Sequence, residues 1–409
     1  MDARRVTATA LTALRDSLPR DEAIRVVAAG KAAVGMGRAV DEVLDGRMAT
    51  GLMTASASVD VRGWHVIAAT HPRPSAASEQ AGRSALALAD ATRRDGGLLL
   101  VCLSGGASAM LAVPADGLSI DDKSATTAVL LRAGLDIGAT NVVRRHLSAI
   151  KGGQLAARAG RSITLAISDV CTPVEDDPAV IGSGPTAGDP SSFSDALGVV
   201  ARAGLTQAIP PAAWRQLEEG AAGRRNGPVA PDDPRLHGAA YWLIASRREA
   251  MKAAAVTATH LGYAAHVIPE PTTGAAREAG PALIARAATL ARNRPTCVIA
   301  SGETTVDVRG HGRGGRNQEL AVAALNRLAA VGPAALASVG TDGVDGPTDA
   351  GGALVSDDMF SALGPDALTH VAAALEANDS YPLLERLGAL VRTGPTGTNV
   401  GDLQVVLLA

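Results

Sequence analysis

Aromatic side chains are nearly missing from this chain: Phe, Trp and Tyr together make up 2 % of its 409 residues. The core must therefore be built from Ala, Val, Leu and Ile, and little is left on which nucleobases would stack. There is no basic block either, and the formal net charge is -3, so a dedicated nucleic-acid binder is excluded. Cysteine is scarce. Cys102, Cys171 and Cys297 are widely spaced with no CxxC pair, which suits reduced core thiols in the cytoplasm and not a zinc or disulfide framework. No apolar run reaches membrane-spanning length. The opening residues, MDARRVTATALTALRDSLPRDEA, form an amphipathic helix pattern without the apolar centre of a signal peptide. A soluble cytoplasmic protein is expected, with no membrane partner.

What is present is an ordered α/β chain. Hydrophobic residues make up 47 % and charged residues 19 %, enough for a sizeable core, and the length suits two or three domains. Short apolar runs, Ile24–Ala29, Leu52–Ala55, His65–Ala69, Leu98–Leu103 and Ile163–Ser168, alternate with helical stretches such as Ser78–Arg93 and Ala125–Leu135. Continuous apolarity means burial on both faces, so a parallel, doubly wound sheet is predicted, with ligands at the carboxyl ends of its strands. The proline-rich stretch Asn226–His237 reads as a linker, which places a Rossmann-like domain at 1–235 and a second α/β domain at 236–409. In the second domain the predicted strands are Trp242–Ala245, Ala265–Ile268, Cys297–Ala300, Thr305–Val308, Leu336–Val339 and Val405–Leu408. Two of them lack an intervening helix, so this sheet is expected to be mixed.

The most unusual stretch is Gly310–Leu320, GHGRGGRNQEL, with four glycines and two arginines in its first seven residues. Glycines let a backbone approach a ligand, Arg313 and Arg316 add planar charged forks, and a helix start favours anions. A phosphate clamp and a solvated flexible loop both fit this spacing. The expected nucleotide side comprises Gly312, Gly314, Gly315 and Asn317, with Glu303 and Thr304 from the strand end just upstream. Glu303 either orients the loop arginines or a metal-bound water, or satisfies an arginine structurally. Downstream, SVGTDGVDGPTDAGG sets Asp342, Asp345 and Asp349 among glycines, as ligands for Mg²⁺, as partners for substrate hydroxyls, or as Asx turns.

The first half offers further anion-binding groups. Gly30-Lys31-Ala32-Ala33 follows a strand directly, so Lys31 stands beside free backbone N–H groups, although a surface lysine reads the same way. Neither GxxxxGK[ST] nor GxGxxG is present. Ser104, Gly105, Gly106 and Ser108 follow LLLVCL and supply donors suited to a carboxylate or phosphate, or a serine cap with tight packing. Arg144, Arg145, His146 and Lys151 gather charge beside a Gly-Gly pair, as a solvated helix end also would. Asp169, at a strand's carboxyl end, is placed to bind Mg²⁺ or accept a hydroxyl proton.

In their order along the chain, AAGKAA, THPRP, LSGGASA, VVRRHLSAIKGGQLA, ISDV, IGSGPT, SGETTV, GRGGRNQEL, VGTDGVDGPTDA, NDSY and TGPTGTN resemble the bacterial glycerate 2-kinases, whose C-terminal half is called MOFRL. The resemblance implies ATP-dependent phosphorylation of D-glycerate at its 2-hydroxyl, with a divalent metal, by two α/β domains with the site between them. It puts the family's functional lysine on Lys31 and its functional arginine on Arg313 or Arg316. Ser75, where the family usually has an acid, is a departure. On this basis glycerate's carboxylate is expected at the Ser104–Ser108 turn with Arg144, Arg145 or Lys151. ATP is expected near the Gly/Arg loop, Mg²⁺ with some of Asp169, Asp342 and Asp345, and Asp169 as base, in a monomer or homodimer. Relatives labelled hydroxypyruvate reductase make an NAD(P)H oxidoreductase the alternative, against which the missing GxGxxG speaks. A non-catalytic sugar-acid sensor is the third reading.

Overall fold

The computed structural model describes residues 2–57, 59–291 and 295–409 and divides into two compact units, Asp2–Ile244 and Ala245–Ala409. In the first, β1 (Ile24–Ala29), β2 (Met48–Ala55), β3 (Trp64–Ala68), β4 (Leu98–Leu103), β5 (Ser162–Ile167) and β6 (Ala239–Ala245) form one sheet in the order β3-β2-β1-β4-β5-β6. The pairs β3–β2, β2–β1, β1–β4 and β4–β5 are parallel. Every residue of β4 and β5 is buried, as their unbroken apolar character requires in a sheet covered on both faces. Cys102 in β4 shares that burial, which pushes its thiol up to about 12. Ser75 caps the helix Ala76–Asp95 and exchanges hydrogen bonds with Ser78, so the residue that departs from the family pattern has a local structural role.

Two stretches differ from expectation. Trp242–Ala245 belongs to the edge strand β6 of this first sheet. Its lead-in is docked beside β5 by the Ser162 N–H to Gly238 carbonyl bond of 3.0 Å, and an added Cβ at Gly238 would lie 2.2 Å from the Gly160 carbonyl. The stretch Asn226–His237 is a packed strap. Val229 is buried, donates to the Gly152 carbonyl and accepts from the Asp189 N–H, both at 2.8 Å. Proline here fixes an extended path against the unit; it does not mark a loose tether.

The second unit carries β7 (Ala264–Val267), β8 (Thr296–Gly302), β9 (Ala334–Gly340), β10 (Gly352–Ser356), β11 (Leu390–Val391) and β12 (Asp402–Leu408), ordered β11-β10-β9-β12-β8-β7. The sheet is mixed, for a reason other than the one expected. Thr305–Val308 forms no strand, only a bridge from Thr305 to Ala275. The reversal comes instead from β12, antiparallel to both β8 and β9, and from β10, antiparallel to β9 and β11. Strands β10 and β11 hold five and two residues, too few to leave a periodic signal. Helix Arg316–Val331 packs Leu320, Val322, Leu325 and Leu328 into a core with Val298, Leu336 and Val406. Among the described residues no helix is long and apolar enough to cross a membrane.

The strap is testable. Val229→Ala removes packed methyl groups from a side chain that is 2 % exposed and should cost about 1–3 kcal/mol. A lowered urea midpoint measures this; a change within about 0.5 kcal/mol is what a loose linker would give.

Candidate active site

The first sheet changes winding direction at β1, between β2 and β4, and a ligand crevice belongs outside the carboxyl ends of β1 and β4. The turn that leaves β1 is fitted against the turn that leaves β4. Gly30 sits at φ +112°, and an added Cβ would fall 2.4 Å from Ser104 Oγ. The Lys31 N–H donates to the Gly105 carbonyl at 2.8 Å, and the Ala32 N–H to Ser104 Oγ at 3.0 Å. Ser104 is fully buried, so its hydroxyl shapes the Lys31 turn. Across Gly105 lies Asp169 at the end of β5; an added Cβ would come within 2.1 Å of its Oδ2. The His71 ring lies the same way beside Gly106, 3.1 Å from where a Cβ would stand. The Lys31 backbone and the side chains of Asp169 and His71 therefore meet around one glycine pair. Of these, His71 was legible only as part of THPRP.

One helical turn further, Ser108 is the focus of a cationic cluster. Its hydroxyl is 2.5 Å from Arg144 Nη2, 2.9 Å from Lys151 Nζ and 2.8 Å from Ser183 Oγ. Lys151, 1 % exposed, also donates to the carbonyls of Ser108 (2.9 Å) and Gly182 (3.3 Å). Asn141 Oδ1 accepts from Arg144 Nη1 and from Ser183 Oγ, both at 3.1 Å. Among the described residues neither Arg144 nor Lys151 has a carboxylate partner. Burial, followed by the charges of Arg144 and Lys123, holds Lys151 well below the ordinary lysine pKa. Burial and the Arg145 charge bring Arg144 down to about 10. Lys123, missed in the sequence, caps the end of helix Ile137–His146 by donating to the carbonyls of Arg144 (2.9 Å) and Leu147 (3.2 Å). Arg145 faces elsewhere. It forms a buried ion pair with Asp189 at 2.7 Å and donates to the Ala179 carbonyl at 3.0 Å.

In the second unit the Gly/Arg loop is clasped by the NDSY turn. Asn378 Oδ1 accepts from the N–H groups of Arg309 (2.7 Å) and Gly310 (2.9 Å), and its Nδ2 donates to Glu319 at 3.2 Å. Gly312 N–H donates to the Ala377 carbonyl, and Arg313 N–H to Asp379. An added Cβ at Gly310, Gly312 or Gly314 would lie 2.2–2.4 Å from this turn. The glycines thus allow one backbone to lie against another. Arg316 grips Asp402 in a two-pronged bond, Nε–Oδ2 2.6 Å and Nη2–Oδ1 2.9 Å, and reaches Glu303 at 2.7 Å. Burial opposes its charge, but the Asp402 bonds and the charges of Asp402, Glu303 and Asp345 outweigh that and raise its pKa. Asp402, fully buried, left only a faint signal: a lone carboxylate opening an apolar strand. Arg313, half exposed, stacks on the Tyr381 ring at 4.0 Å and approaches Asp349 at 3.5 Å.

Asp345 is a helix cap. Its two oxygens accept from the N–H groups of Asn317 (3.1 Å) and Gln318 (2.9 Å) at the start of helix Arg316–Val331. Burial raises its pKa, with those N–H bonds pulling the other way. Asn317 is buried, accepting from Ser338 Oγ at 2.7 Å, and Thr304 is buried beside the exposed Glu303. Gly315 lies against Asp345, with an added Cβ 2.3 Å from its Cγ. Asp342 accepts from the Val344 N–H at 3.1 Å in a short turn. Asp342 and Asp345 are thus in one loop, while Asp169 belongs to the first unit.

Arg144 and Lys151, neither with an acid partner among the described residues, lie one helical turn beyond a Rossmann-type switch point, in a chain whose second α/β unit carries a fixed arginine; that is the class of site that suits a small anion. Comparison with known proteins narrows the class. The family model described as "Domain of unknown function (DUF4147)" matches residues 1–218, and the one described as "MOFRL family" matches residues 296–402. Glycerate 2-kinase of Pyrococcus horikoshii is 33 % identical over 94 % of this chain and 87 % of its own. A relative from Agrobacterium vitis, 36 % identical over 95 % of this chain and 88 % of its own, carries the provisional name hydroxypyruvate reductase. The solved structure of glycerate kinase from Thermotoga maritima superposes with a TM-score of 0.85 at 32 % identity, covering 100 % of this chain and 97 % of that one. The chain belongs to the glycerate 2-kinase family.

Adjacent arginines should separate in their effects. Arg145→Ala leaves Asp189 buried without its partner and should cost about 3–5 kcal/mol of stability, read by chemical denaturation. Arg144→Ala removes a like charge from the cluster and should leave the midpoint nearly unchanged. Equal losses in both variants would contradict this assignment.

Proposed function

We propose that the protein is an ATP-dependent kinase that phosphorylates D-glycerate at its 2-hydroxyl, giving 2-phosphoglycerate and ADP. The observation that carries this reading is the pairing of Arg144 and Lys151 on Ser108 with no carboxylate among the described residues to balance them. Holding such charges away from water is costly unless an anion completes the site, and a carboxylate matches the arginine fork and the ammonium. Glycerate's carboxylate takes that place, with Ser108 and Ser183 as neutral donors and the backbone of Gly105 and Gly106 alongside. Asp169, lying across Gly105, accepts the proton of the attacking hydroxyl, and Lys31 offsets charge on the transferred phosphoryl group. The new bond joins the glycerate oxygen to the γ-phosphorus as the bond to ADP breaks. Arg313 and Arg316 are the nucleotide-side cations of this reading, Arg316 preorganised by Asp402 and Glu303.

The divalent ion that accompanies ATP neutralises phosphate charge when bound. Among the described residues no three His, Cys, Asp or Glu side chains gather as a cage, and Mg²⁺ at phosphates needs only one or two carboxylates. Asp342 and Asp169, both partly exposed, suit that role. Asp345, engaged by two N–H groups, does not.

Purified protein with ATP, Mg²⁺ and D-glycerate should release ADP, with phosphorus NMR assigning the 2-phosphate. Oxidation of NADH by hydroxypyruvate without that activity would overturn the reading in favour of a reductase, and ligand binding without turnover would favour a sensor. Lys31→Ala should lower kcat about 10²–10³-fold with the fold intact by circular dichroism. The Lys151 shift adds a pH signature. An anion needs Lys151 protonated, so kcat/KM for glycerate should fall as pH rises through its lowered pKa. Lys151→Arg should move that limb to higher pH; an unmoved limb would assign it to another group.

A further inference from the structure

A cavity of about 860 Å³ in the first unit belongs to no part of the site described above. Arg93, Arg158, Arg225 and Arg235 line it from two helices and from the strap and the residue before it, against one lining acid, Asp90. Asp90 pairs with Arg158, Arg225 with Glu219 and Arg235 with Asp233, whereas among the described residues Arg93 reaches the Ala157 carbonyl, at 3.2 Å, and no acid. Phe193, Pro228 and Val229 give the cavity an apolar wall. Arg93 lies near the end of the helix that leads into the start of β4, and Arg158 near the end of the helix that leads into β5. The cavity therefore lies toward the amino-terminal ends of the strands, away from the crevice of Lys31 and Asp169. Its volume is that of a site for a small organic ligand and exceeds what a bare phosphate ion fills.

We propose that this cavity is a second, regulatory site for a small multiply charged anion, a phosphorylated or polycarboxylate metabolite. Arg93, which has no acid partner among the described residues, offers its fork to such a ligand, the ion-paired Arg158, Arg225 and Arg235 border it, and the apolar wall takes its carbon skeleton. The back of the substrate segment forms part of the lining. Gln154 faces the cavity and donates to the carbonyls of Ser148 (2.6 Å) and Lys151 (3.0 Å). Val229 faces it and donates to Gly152, the residue after Lys151. His146, two residues beyond Arg144, packs its ring edge-on against Phe193 at 4.6 Å, both in the lining. An anion held here acts on the segment that positions Arg144 and Lys151, and coupling between two such sites is reciprocal. Its regulatory consequence rests on the glycerate reading; its existence as a binding site does not.

Calorimetric titration of the full-length protein with glucose 6-phosphate, and separately with citrate, tests the site without any assay of activity. At least one probe should bind, and the Arg93→Ala/Arg235→Ala double variant should weaken it about tenfold or more. The variant's kcat and KM for D-glycerate without probe should match those of the parent. Preference for one probe distinguishes a phosphate ester from a polycarboxylate. Bound probe should also shift the affinity for D-glycerate in the parent and not in the variant. Failure of both probes to bind at about 10 mM, or binding indifferent to the double variant, would overturn the site. Variant-sensitive binding that leaves glycerate affinity unchanged would overturn the regulation. Absence of glycerate binding altogether would count against the kinase reading, and the calorimetric result would still decide the site.

Discussion

Positive charge held away from water, with no acid beside it among the described residues, is the constraint around which the Ser108 cluster of the first unit is arranged. Lys151 is 1 % exposed, and Arg144 stands beside it with the same hydroxyl as partner. Among the described residues neutral groups solvate them: the Ser108 hydroxyl for both, Asn141 for Arg144, and the carbonyls of Ser108 and Gly182 for Lys151, with Ser183 bonded in turn to Ser108 and Asn141. Such groups satisfy hydrogen bonds but cannot cancel charge, so the cluster remains attractive to anions. Its neighbour Arg145 shows the contrast. It has Asp189, and with its charge answered it is part of the framework.

Glycine serves two ends in this chain. At Gly30 a positive φ and a close approach to Ser104 let one strand-end turn rest in another, which sets Lys31 at the switch point. In the Gly/Arg loop the same residue type gives backbone-to-backbone contact with the turn of Asn378 and Asp379. The arginines are then differentiated by their surroundings, not by their spacing. Arg316 is fixed by the buried Asp402, while Arg313 lies half exposed on Tyr381. A fixed cation costs no reorganisation when charge develops near it, which is the electrostatic value of such a pairing.

Much of the architecture was legible in advance because burial on both faces leaves unbroken apolar runs. Ile24–Ala29 and Leu98–Leu103 are strands to the residue, and Asp169 and Lys31 lie at carboxyl ends as their places after such runs imply. Shorter or contextual features were not legible. Strands β10 and β11 are too brief, Thr305–Val308 has strand composition but a single bridge, and the prolines of Asn226–His237 mark a packed strap. Asp345 read as a metal ligand because carboxylate among glycines has the same composition whether it faces a cation or a helix start.

By itself the sequence determined the parallel sheet, the order of the motifs and the family they resemble. Those properties follow from local periodicity and from residue types at strand ends, which any reader of the chain can see. Only the tertiary structure decided which charges are answered and which are not. Arg144 and Arg145 are adjacent and chemically identical, yet Asp189, over forty positions away, meets only one of them. Partnership of that kind is set by long-range packing, and the linear chain carries no mark of it.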